Sequence, residues 1–136
     1  MPIPDEPLRS PFDDVVGTEW LDDDPDHARV RLRVRDDLKQ PVGLLHGGVI
    51  STLIESICSR ATAIAVYEQG LAAMGQSIHV SFLRPVTEGT VEVEARARHR
   101  GRTTWVWEAE ARDSKERLAA LGQMIVVVRP IRGSDS

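Results

Sequence analysis

Apolar and polar residues alternate with a period of two along much of this chain and shift to a helical period in one place. From His27 to Arg35, Ala28, Val30, Leu32 and Val34 hold one parity and Arg29, Arg31, Arg33 and Arg35 the other. That is the pattern of a half-buried antiparallel strand with a charged outer face. No aromatic residues interleave the arginines, so they read as a solvated face and not as a nucleic-acid stripe. Val91, Val93, Ala95 and Ala97 alternate with Glu92, Glu94, Arg96 and Arg98 in the same way, and Trp105, Trp107, Ala109 and Ala111 share one parity further on. Between these regions Ile50, Leu53, Ile54, Ile57, Ala61 and Ile64 fall on one face of a helical wheel.

The pattern predicts strands at 15–21 and 27–35, a helix over 47–68 stopped by Gly70, then strands at 73–83, 90–100, 103–112 and 117–128. Residues 99–102 and 113–116 are hairpin turns, and the acidic DDDPD after Leu21 is another turn. A helix of about 20 residues is roughly 30 Å long, and the later strands can run beside it. The expected fold is α+β: a curved antiparallel sheet wrapped around one long central helix. Residues 1–14 hold Pro2, Pro4, Pro7 and Pro11 and read as an extended arm with room for one short helical turn. Residues 15–130 form a single domain, and 131–136 are expected to be a flexible tail.

Composition narrows the function more than the fold. With 136 residues the chain fits one core. A net charge of −4 disfavours a general nucleic-acid partner, while the arginines leave room for local anion sites. Cys58 is the one cysteine and lies in the apolar helix, where a packed thiol is a better reading than a nucleophile. The N-terminus has acids early and no apolar run, unlike a signal or transit peptide, and no uninterrupted apolar run reaches membrane-spanning length. The expectations are a cytoplasmic protein with no membrane partner.

The helix carries the candidate chemistry. Opposite its apolar face lies a stripe of Ser51, Glu55, Ser59 and Thr62, which puts small hydroxyls within reach of the acid. Such hydroxyls could orient a catalytic carboxylate or its water; the other reading is a polar stripe facing solvent. A carboxylate in an apolar helix loses hydration that only strong partners restore, so Glu55 is read as the catalytic group of a hydrolase. Gly47 and Gly48 leave amides uncovered at the helix start, where unpaired N–H groups and the helix dipole favour a developing oxyanion. The alternative is a glycine pair required for close packing. Gly47 and Glu55 are roughly 12 Å apart in helical rise, so the expectation is a pocket completed between two subunits.

The run KQPVGLLHGGVISTLIES resembles the signature of hotdog-fold acyl-CoA thioesterases in the branch with an acidic residue on the central helix. That branch includes phenylacetate-degradation enzymes, one type of 4-hydroxybenzoyl-CoA thioesterase, and the 1,4-dihydroxy-2-naphthoyl-CoA thioesterases of menaquinone synthesis. The likeness spans residues 15–129 in element order, and Gln40, His46, Gly47, Glu55 and Ser59 are its specific part. It implies that Glu55 attacks the thioester carbonyl as nucleophile or activates water as general base, while the Gly47 N–H polarises the carbonyl. Gln40 positions substrate or water, His46 shapes the helix start and contacts the thioester, and Ser59 holds the carboxylate or the attacking water. Gln and Glu at positions 40 and 55 favour the aromatic-acyl side over a sister group with Asn and Asp.

The same resemblance implies CoA contacts from Arg84 and from Arg102, Thr103 and Thr104 at a hairpin, and an acyl pocket walled by Ala63, Tyr67, His79 and Phe82. His79 stands where the family often has Asn and is read as a buried, hydrogen-bonded core histidine in preference to a catalytic one. No metal or redox cofactor is implied, CoA being part of the substrate. The partner is a second copy, with a dimer as the active unit and a dimer of dimers expected. A non-catalytic acyl-CoA-binding module is the alternative, since it would keep the arginines and pocket; a hydratase would want a helix-borne Asp/His pair, which His46 does not supply.

Overall fold

The computed structural model describes residue 8 and residues 10–131; most of the expected N-terminal arm and all but one residue of the expected C-terminal tail lie outside these. The chain begins with α1, Pro11–Val16, followed by β1, Glu19–Asp22, and β2, Ala28–Arg33. Then come α2, Gly47–Val66, and β3, Leu71–Phe82. Three long strands complete it: β4, Thr90–Arg100; β5, Thr104–Asp113; and β6, Leu118–Pro130. All pairings are antiparallel and build one six-stranded sheet in the order β1-β2-β4-β5-β6-β3. The α+β expectation and the four strands after the helix hold, with ends shifted by one or two residues.

The start of the chain has the short helical turn expected of the arm but departs from the strand expected from Val15. Ser10 caps a helix instead, its hydroxyl accepting from the Asp13 N–H at 3.3 Å, with Pro11 in the first turn and Gly17 in the left-handed region (φ 93°) closing it. Proline has no hydrogen bond to lose at the first helical position, so the residue that looked like a breaker is a starter. The arm is tied down further along by Arg60 of α2. Its guanidinium lies 4.6 Å over the Trp20 ring, pairs with Asp23 at 3.0 Å and donates to the Leu8 carbonyl.

The alternating patterns put their apolar parities against α2 as expected. Ala28, Val30 and Leu32 are buried, as are Val91, Val93 and Ala95, then Trp107, Ala109 and Ala111, and Met124, Val126 and Val128. From α2 they receive Ile50, Leu53, Ile54, Ile57, Cys58 and Ala61. Gly47–Gln69 has the length and mean hydropathy (1.5) of a membrane-crossing helix, although Glu55 and Arg60 interrupt it; here its apolar face is the one the sheet covers. Cys58 is a core thiol, and burial pushes its pKa up, beyond the ordinary thiol range.

Thr62 leaves the polar stripe to which the wheel assigned it. It is fully buried; its hydroxyl donates to the Cys58 carbonyl at 2.7 Å and accepts from the Trp107 indole N–H at 2.9 Å. The sheet curls far enough round the second half of α2 for Trp107 to reach it. Thr62→Val keeps the shape but strips the indole of its acceptor, so a loss of about 1–3 kcal/mol is expected. Thermal or urea unfolding reads this out, and an unchanged midpoint would mean that the indole finds another partner.

Candidate active site

The loop before α2 is folded tightly onto the helix start. Gln40 receives the Gly43 N–H on its carbonyl (2.9 Å) and donates its own N–H to Leu44 (2.8 Å), while Gly43 takes a positive φ of 90°. The Gln40 side-chain oxygen accepts from the Val42 N–H at 2.6 Å, which fixes the amide and leaves its NH2 end as a donor. Leu45 and His46 are held by backbone bonds to Val86 and Leu38 at 2.7 and 2.9 Å. The chain therefore delivers His46 as the N-cap of α2, with φ −62° and ψ 131°.

His46 divides the two glycine amides between two roles. Its Nδ1 accepts from the Gly48 N–H at 3.0 Å, so Nδ1 is unprotonated and Nε2 is the nitrogen left to carry a proton. The Gly47 N–H has no hydrogen-bond partner among the described residues. An unpaired amide at the mouth of a helix of 20 residues is a ready donor to a carbonyl oxygen gaining negative charge. Gly47 is also sterically constrained: a β-carbon there would lie 2.8 Å from Phe82 Cζ. Both readings of the glycine pair thus have a physical basis, since position 47 serves close packing and leaves an open amide.

Glu55 is exposed in this protomer and makes no hydrogen bond or ion pair among the described residues. This corrects the expectation of a sheltered carboxylate. It stands beside β3, one of the two edge strands, with Oε1 3.3 Å from where a β-carbon of Gly75 would be. Ser51 and Ser59 are half-buried on the same side, one turn either way. Gly47 and Glu55 are on one helix but roughly 12 Å apart along it.

The other expected site residues are dispersed over the protomer. Phe82 lies against Gly47 at the start of α2, whereas Ala63 and Tyr67 belong to its far end. His79 is exposed and is not a core histidine; it pairs with Gln123 on the sheet face turned away from α2. There it lines a groove of about 550 Å³ with Arg98, Glu108, Glu110 and Gln123. The groove is on the wrong face to hold a substrate against Glu55. Arg84 follows β3, where its backbone N–H bonds to Ala119, while the Thr103 carbonyl accepts from Val128. From Ala119 to Val128 along β6 is roughly 30 Å at about 3.3 Å per residue, so one protomer does not bring Arg84 to Arg102, Thr103 and Thr104. Among the described residues no three His, Cys, Asp or Glu side chains are placed to hold a metal ion.

Residues 42–120 match the family model described as the Thioesterase superfamily. The protein Rv1847 of Mycobacterium tuberculosis is 35% identical over 129 residues, covering 90% of this chain and 92% of that one. Its solved structure superposes with a TM-score of 0.86 at 34% identity, over 91% of this chain and 100% of that one. Thioesterase HI1161 from Haemophilus influenzae gives a TM-score of 0.85 at 28% identity, over 92% and 87%. A 1,4-dihydroxy-2-naphthoyl-CoA hydrolase of Listeria monocytogenes is 31% identical over 119 residues, 88% of this chain and 96% of that one. The long helix gripped by a curled antiparallel sheet is the hotdog fold of those structures. With the open amide and the unpaired acid on that helix, this places the chain in the thioesterase superfamily as a hotdog-fold thioester hydrolase.

Proposed function

We propose that this thioesterase hydrolyses an aromatic or hydroxy-aromatic acyl-CoA to the free acid and CoA, at a site shared by two copies of the chain. The observation that carries this reading is an exposed, unpaired Glu55 beside an unpaired edge strand, two helical turns from an open Gly47 amide. An edge strand of 12 residues presents a row of free N–H and C=O groups that a second copy can pair. Pairing about a two-fold axis runs β3 antiparallel to its mate and reverses α2 across the interface. The helix start of one copy then lies on the side of the other copy's acid, and the Arg84 end of one faces the Arg102–Thr104 end of the other. A dimer of such dimers is the assembly proposed, acting in the cytoplasm.

In the proposed reaction the thioester oxygen accepts from the Gly47 N–H, and the helix dipole favours the charge that builds there. Either a Glu55 oxygen adds to the carbonyl carbon, or Glu55 takes a proton from the water that does. The C–S bond then breaks and CoA leaves as a thiolate that gains a proton. On the first route, water hydrolyses the resulting anhydride and regenerates the carboxylate. The Gln40 NH2 and His46 Nε2 flank the carbonyl as donors, and the Ser59 hydroxyl holds the acid or the water. The chemistry draws on no metal or redox cofactor.

The aromatic preference is supported by Gln40 and Glu55 in the motif and by the substrate in the name of the Listeria relative. Thiol release should be compared across dihydroxynaphthoyl-, 4-hydroxybenzoyl-, phenylacetyl- and palmitoyl-CoA. We expect kcat/KM to be at least about tenfold higher for a hydroxy-aryl ester than for the long-chain one, the scale that about 1.4 kcal/mol of pocket discrimination gives. A long-chain ester ahead of all aryl esters would overturn the substrate assignment.

A further inference from the structure

Gly75 lies in the interior of β3, where glycine weakens a strand and offers nothing to pack, so its presence needs a reason. It pairs with Val126, and the register slips between Gly75 and Ser77, leaving Gln76 as the extra residue of a bulge. A β-carbon on Gly75 would lie 2.6 Å from the terminal methyl of Met124 and 3.3 Å from Glu55 Oε1, with Glu55 Cγ at 3.9 Å. Glu55 Oε1 and the Met124 methyl therefore both border the space that a side chain at position 75 would fill. Glu55 has no hydrogen bond or ion pair among the described residues to hold it, so the space left open at Gly75 bears directly on where its carboxylate can stand.

We infer that Gly75 is a positioning residue for the hydrolysis: its missing side chain makes the slot that sets where the Glu55 carboxylate stands. The inference rests on the proposed role of Glu55. Both groups that a new β-carbon would meet are ends of flexible side chains, so the fold can absorb Gly75→Ala by moving them. At 3.3 Å the carboxylate has to give by a few tenths of an ångström, a fraction of the roughly 1 Å misplacement that lowers turnover by as much as about 100-fold. The bulge contributes by re-aiming the strand at this point, as bulges beside functional sites do.

The test measures kcat, KM and thermal stability with 4-hydroxybenzoyl-CoA for Gly75→Ala, for Gly75→Ala with Met124→Leu, for Glu55→Gln, and for Glu55→Asp with and without Gly75→Ala. Gly75→Ala is expected to lower kcat by about 3- to 10-fold with KM changed less than about twofold. The loss should persist when Met124→Leu removes the crowding methyl, and that double variant carries the test if Gly75→Ala alone does not fold. In a Glu55→Asp background, where the acid ends one methylene short of the slot, the same alanine should cost much less. Recovery of kcat on Met124→Leu, an equal cost in both acid backgrounds, or wild-type kcat in Gly75→Ala would each overturn the inference. If Glu55→Gln is inactive while Gly75→Ala is fully active, only the role of Gly75 falls; wild-type turnover in Glu55→Gln removes the reading on which it rests.

Discussion

Glu55→Gln is expected to lower kcat for an aryl-CoA by about 1000-fold or more while leaving the fold in place, since loss of a catalytic acid or base alone costs about 100- to 10,000-fold. The two side chains have the same shape, and Glu55 is exposed and unpaired among the described residues. Nothing in the core is vacated and no partner is stranded, so stability should stay within about 0.5 kcal/mol. Because the carboxylate acts on the reacting carbonyl and does little to bind CoA, the loss should appear in kcat with KM almost unchanged. Thiol release together with a melting curve checks both halves. Turnover equal to wild type in the purified variant removes Glu55 from the reaction. Single-turnover hydrolysis in oxygen-18 water then tests for the covalent route: label in the Glu55 carboxylate requires an anhydride opened by water at the Glu55 carbonyl, whereas direct attack by water labels the product acid alone.

How much of this was legible in the sequence depended on whether a residue's surroundings repeat. β2, β4 and β5 carry clean alternation, and α2 carries a helical stripe ended at Gly70, so their existence and inward faces followed from periodicity. β3 is different. Its sequence LAAMGQSIHVSF has no clean parity, and the bulge at Gln76 inverts whatever parity is assumed. Counted by twos from Gly75, His79 should face α2; with one residue inserted, Ile78, Val80 and Phe82 do, and His79 faces outward. The same insertion hid Gly75, whose only sequence signal was a glycine inside a strand pattern. Thr62 was lost for a further reason: a helical wheel does not know how far the sheet wraps, and here it wraps far enough to bring Trp107. The Gln40–Glu55 motif was legible because it is local. The separation of Arg84 from Arg102 was not, since two segments far apart in sequence can lie at the same or opposite ends of a sheet.

That separation, and the distance from Gly47 to Glu55, lead to the second large effect. If each site takes Glu55 from one copy and the Gly47 amide from the other, two inactive variants should restore activity to each other. Glu55→Gln removes the acid. Gly47→Val puts a branched side chain where a single β-carbon would already lie 2.8 Å from Phe82 Cζ, so it disturbs the amide and the ring together. Each is expected to be nearly inactive alone. In a mixed dimer one site receives both defects and the other receives neither, because an isologous pair uses the same surfaces in both directions. With random mixing about half of the dimers are mixed and one site in two is intact within them, so co-expressed chains should recover about a quarter of wild-type activity. The mixed species can be purified through two different tags and assayed directly, and there the expected recovery is about half. Activity that stays at the level of the separate variants would mean that acid and amide act within one chain. The roughly 12 Å of helix between them would then have to be bridged by the substrate itself.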